Sequence, residues 1–133
     1  MSNVVAIQTT VDGPRNVVAK LDIDADTSDV SSTLVLDPAA LSATMPPTNQ
    51  LSIWEIQYAV QDGWYVSLFW DASTQKRIID LTGRGTFLIG TPFGGLQNNA
   101  GAGKTGKINV TTTGWTTGTM VASIELHCIK QTV

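Results

Sequence analysis

Two runs of two-residue alternation, set back to back around Asp62-Gly63, constrain this chain more than any other feature. Residues 51–61 place Trp54, Ile56, Tyr58 and Val60 on one side, and residues 64–71 place Trp64, Val66, Leu68 and Trp70 on one side. A period of two sends alternate side chains to opposite faces of a strand, whereas a helical face needs a period near 3.6. Each run therefore has one apolar face to bury and needs a second layer to bury it against. Asp-Gly is a strong signal for a two-residue reverse turn, so the runs are expected to pair as a hairpin. A slip of one residue would turn the apolar faces to water, which fixes the register. Trp54, Trp64 and Trp70 are accordingly expected in the core, with Glu55 on the opposite, solvent side.

The same period recurs along the chain between turn residues. Residues 4–11 read as a first strand, closed by Asp12-Gly13-Pro14. Residues 16–24 read as a second, with Val17, Ala19, Leu21 and Ile23 on one face, and 32–36 as a short third. Further strands are expected over 77–81, over 85–90 with Phe87 and Ile89 inward, over 107–113, and over 120–130 with Ala122, Ile124, Leu126 and Cys128 on one face. The best helix signal is Asp37 as a cap before Pro38, giving one short helix near residues 38–43 that Pro46-Pro47 stops. Eight or nine short strands with almost no helix predict an all-β fold, a single-domain antiparallel β-sandwich or jelly roll. Residues 1–133 form one domain, with residues 1–14 as a candidate extended N-terminal arm.

Composition narrows the function classes. Charged residues are 14% of the chain, against about a quarter in a typical globular domain. Eighteen threonines and twelve glycines supply the polarity instead. Such a surface suits a β protein partly covered by neighbours. The net charge of −3 argues against a nucleic-acid-binding face, which needs clustered Lys and Arg. Cys128 is the only cysteine, so the fold does not rest on a disulfide. The N-terminal MSNVVAIQTTVDG has no basic region followed by an apolar core, and no run approaches a membrane span, so a soluble chain made in a cytoplasm is expected.

Several motifs touch on chemistry without completing it. Gly103-Lys104-Thr105 matches the end of a phosphate-binding loop, but Asn98 stands where the pattern needs its first glycine. A β-branched run follows in place of a helix, so a glycine-rich loop entering a strand is the expectation. Asp22, Asp24, Asp26 and Asp29 resemble the start of a calcium loop, but Thr27 and Thr33 occupy its glycine and glutamate positions. His127 and Cys128 adjoin on a strand and so point to opposite faces. With one histidine and one cysteine, no zinc site can be assembled. No G-x-S-x-G elbow is present, and Glu55 and Glu125 are the only glutamates. No catalytic set, metal or cofactor is expected. Trp115, in a threonine-rich turn, is expected to be exposed and to serve as an interface anchor.

Four segments together carry a resemblance: DGPRNVVAKLDI at 12–23, LDPAAL at 36–41, IQYAVQDGWYVSLFWDA at 56–72, and GRGTFLIGTPFGGLQNNAGAGKTGKINVTTTGWTTG at 83–118. The combination resembles small virion structural proteins of tailed bacteriophages, over nearly the whole chain. The resemblance implies a particle component, a capsid decoration (cement) protein that binds the outer capsid surface, with the major capsid protein as its partner and a dimer or trimer as its form. It implies a virion location after assembly in the host cytoplasm, with no nucleic-acid or membrane partner. The residues themselves nominate Asn98, Asn99, Gly101, Gly103, Lys104 and Trp115 as interface candidates, the amides for hydrogen bonding and the glycines for close backbone approach. A carbohydrate-binding or host-recognition module, such as a fibre tip, is the alternative, and a hydrolase a more distant third.

Overall fold

The structure is a computed structural model, and it describes residues 3–41, 50–88, 96 and 98–131. Among these residues are nine strands and one short 3-10 turn. The strands are β1 (Val4–Asp12), β2 (Asn16–Ala25), β3 (Thr33–Leu36), β4 (Gln50–Val60), β5 (Tyr65–Trp70), β6 (Lys76–Leu81), β7 (Gly83–Leu88), β8 (Ile108–Thr113) and β9 (Met120–Gln131). The expected helix is a single 3-10 turn, Pro38–Ala40, capped by Asp37, whose carboxylate accepts from the Ala39 N–H at 3.0 Å. The remainder of that expectation, and those for Ile89 and Gly90, lie outside the described residues.

The strands form an antiparallel β-sandwich of two sheets, ordered β1-β2-β9-β4-β7 and β3-β8-β5-β6. The pairing has a simple logic. β2 pairs with β9, β3 with β8, β4 with β7 and β5 with β6. Strands 2 to 9 are thus one long antiparallel ribbon, folded across itself so that alternate pairs fall in opposite sheets. β1 stands outside the ribbon and pairs with β2 along the edge of the larger sheet.

This winding corrects the expected hairpin. β4 and β5 do not pair; they belong to different sheets, and Asp62-Gly63 carries the chain across the sandwich. Gly63, at φ +99°, makes the turn that the dipeptide signals. Both edges of each strand are already taken, β4 by β9 and β7, β5 by β6 and β8. The β6–β7 link crosses beside it, and Thr82 ties the two crossings together by donating to the Trp64 carbonyl at 3.0 Å.

The core lies between the sheets. β2 buries Val17, Ala19, Leu21, Ile23 and Ala25, and β9 buries Ala122, Ile124, Leu126 and Cys128, as their alternation predicts. β5 faces them with Val66, Leu68 and Trp70. Complete removal from water of branched and aromatic side chains of this size contributes roughly 1.5–3 kcal/mol each. Phe87 pairs with Ile56 of β4, whose side chain is fully buried, yet is itself 42% exposed.

Candidate functional site

Three surfaces carry the residues that the sequence nominated or that the fold brings together. The first is the loop from residue 98 to residue 107. Asn98 is buried; its side-chain oxygen accepts from the Ala100 N–H at 3.0 Å, while its amide nitrogen has no partner among the described residues. Asn99, Gly101, Gly103 and Lys104 are exposed. The loop is nonetheless tied down. Asp71, at the end of β5, is its anchor: the carboxylate accepts from Thr105 Oγ1 at 2.8 Å and from Asn109 Nδ2 at 3.1 Å. Backbone bonds run from Thr105 N to Asp71 O at 3.1 Å and from Ser73 N to Ala102 O at 3.2 Å. Gly103 sits at φ +78°, and a Cβ there would fall on the Ser73 hydroxyl. Its close approach is therefore made to its own chain. Beyond the loop the chain enters β8 and not a helix, which removes the element that a phosphate loop requires.

The second surface is the corner from residue 114 to residue 119, at the other end of β8. Here the expected full exposure of Trp115 is corrected. Trp115 is half-buried and packs against the core. Its ring N–H is shared between the carbonyls of Ala25 and Gly118, both at 2.9 Å, and its backbone N–H donates to Asp29 at 2.8 Å. Threonine and glycine neighbours hid this role, since a tryptophan in a polar turn reads as exposed until its ring finds a carbonyl. Asp29 also accepts from the Gly114 N–H at 3.2 Å and from Thr112 Oγ1 at 3.3 Å. The aspartates of residues 22–29 thus serve different partners: Asp26 accepts from Thr119, and Asp22 accepts from Ser123 Oγ at 2.7 Å. Trp115→Ala is expected to lower stability by about 2 kcal/mol, roughly half the cost at a fully buried site. Thermal unfolding of the variant checks this.

The third surface, missed by sequence reasoning, is the outer face of the larger sheet. A β-bulge between Ile53 and Glu55 puts one extra residue, Trp54, into β4. Bulges re-aim side chains. Trp54 leaves the core side and meets His127 edge-on, ring centroids 5.3 Å apart. Trp54 and Glu55 therefore share a face, contrary to expectation. His127 Nε2 lies 2.7 Å from Glu125 and 3.8 Å from Glu55, and Gln57 donates to Glu55 at 2.7 Å. Although close, the His127–Glu125 approach makes no aligned N–H bond. Beside this cluster an open trough of about 460 Å³ is lined by Lys20, Gln57, Arg84, Thr86, Ser123 and Glu125.

Cys128, next to His127, points into the core. Burial pushes its thiol up from 9.0 to about 12, so it is not a thiolate nucleophile near neutral pH. No protein-family model matches this chain, and no curated protein matches it either.

Proposed function

We propose that this chain is a structural protein of a tailed-phage virion, a capsid decoration (cement) protein that binds the outer capsid surface and stabilises the shell. The major capsid protein is its partner in this reading, and the chain has no catalytic role. The observation that carries the proposal is the braced loop at residues 98–107. Binding loops held on a rigid scaffold lose little conformational entropy on docking. Asp71 and Ser73 hold this one from behind while Asn99, Gly101 and Lys104 stay open to solvent. The resemblance of the four segments to phage virion proteins supports the same reading. So does the ribbon winding, which we read as a jelly roll with an added strand, an architecture common in capsid proteins; that support is analogy of fold alone.

The test is co-sedimentation with capsids stripped of this protein. Wild type is expected to pellet with them, and the double variant Asn99→Ala/Lys104→Glu to bind at least tenfold more weakly while melting at the same temperature. Equal binding by both proteins would remove the loop from the interface.

Jelly rolls are also common in lectins, and the outward Trp54 beside the trough favours a second reading, saccharide recognition. Quenching of tryptophan fluorescence by added glycans, lost in Trp54→Ala, would support that reading over decoration.

A further inference from the structure

We propose that two copies of this chain join β1 to β1, antiparallel, about a two-fold axis at Ala6, so that two five-stranded sheets become one sheet of ten. The proposal does not depend on the virion reading.

The ribbon from β2 to β9 satisfies its own pairing; β1 is an addition with one neighbouring strand among the described residues. Residues Val4 to Val11 therefore present an edge of backbone donors and acceptors that no other described strand pairs. Proteins guard such edges by shortness or by charge. β3 is four residues long, β6 carries Lys76, Arg77 and Asp80, and β7 carries Arg84. β1 has no charged residue from Val4 to Val11 and no proline. It is also bare on its faces. Val5 and Ile7 share the core side with Ile23 and Leu21, which are fully buried, yet Ile7 is 38% exposed and Val4 and Val11 are 48% and 45% exposed.

The occupant that fits this edge is a second copy, which brings an identical bare strand. A two-fold axis normal to the sheet keeps the core-side faces of both copies on the same side. The bulge after Thr9 limits regular pairing to the segment from Val4 to Thr9. Centring the axis on Ala6 sets Val5 against the partner's Ile7 and Ile7 against the partner's Val5, two apolar cross-strand pairs. Centring it on Ile7 would set Val5 against threonine. Charge agrees with the antiparallel sense. Val4 neighbours Asp24 and Gln8 neighbours Lys20, so each copy's Asp24 shares a row with the other's Lys20. Three strand spacings, about 14 Å, separate them, so this term biases orientation weakly and apolar contact and backbone pairing supply the affinity.

Sedimentation of the purified full chain is expected to show a reversible dimer at micromolar concentration. Ile7→Lys, at an exposed position, should weaken association at least tenfold with the melting temperature of the monomer unchanged. Under mild oxidation Ala6→Cys should cross-link to a dimer, because the two Cβ atoms are directly opposed. Thr9→Cys should not, because its two copies lie about 20 Å apart. Cys128 is buried and stays silent. A wild type that remains monomeric at hundreds of micromolar, or Thr9→Cys cross-linking as readily as Ala6→Cys, would overturn the proposal.

Discussion

Trp70→Ala is expected to remove about 3–5 kcal/mol of folding stability. Trp70 is 1% exposed and heads the fully buried side chains by volume. It ends β5, where it pairs with Ile108 of β8 and Lys76 of β6. Truncation forfeits the transfer free energy of the indole. It also leaves a cavity beneath two paired neighbours, whose backbones are held by ladder bonds and cannot collapse to fill it. A domain of this size is stable by about 5–15 kcal/mol, so the loss is a large share of the total. Urea unfolding followed by circular dichroism measures it. A variant melting within a few degrees of wild type would show that the indole is not packed in the core.

Alkaline pH should destabilise the fold through Cys128. The group is buried and its thiol is raised to about 12 from an ordinary 9.0. Below pH 9 the folded and unfolded chains both hold the proton, and the thiol costs nothing. Between about 9 and 12 the unfolded chain releases it while the buried thiol keeps it. The unfolded state then binds fewer protons, and stability falls as pH rises. Three pH units correspond to about 4 kcal/mol over the whole window, and about 2 kcal/mol is expected to be lost by pH 10.5. Cys128→Ala lacks this dependence, although it starts lower because of the cavity. Unfolding free energies of both proteins at pH 7.5 and pH 10.5 isolate the thiol from lysine and tyrosine titration, which both share. Parallel losses in the two proteins would contradict the assignment. The same burial predicts that a thiol reagent modifies Cys128 only on unfolding.

Much of the fold was legible where one periodicity ran unbroken. β2 and β9 bury the faces that their alternation marks, and β5 does the same, because each lies with one side wholly over the core. β4 was misread at its start. Leu51 and Ile53 are buried at odd positions, and Ile56 and Val60 at even ones. That change of phase is visible in the sequence, and only a bulge reconciles it with one core face. Reading the run as a single phase put Trp54 inside and hid the outer cluster with His127. Pairing failed for a different reason. Asp-Gly specifies a local turn, whereas the winding that separates β4 from β5 depends on the pairing of β4 with β7 and β9 and of β5 with β8, which no local signal carries. The interface candidates were legible as a loop, but the aspartates that brace the two ends of β8, Asp71 and Asp29, were not. Their partners lie 34 to 38 and 83 to 86 residues away in the chain.

The central proposal, a virion decoration role, is tested most directly by the copy number of this chain in washed, purified particles of a tailed phage whose genome carries its gene, measured against the major capsid protein. Decoration predicts many copies, in a fixed simple ratio to the capsid protein. A handful of copies per particle would contradict that reading and move the chain to a tail or portal position, and its absence from washed particles would remove it from the virion.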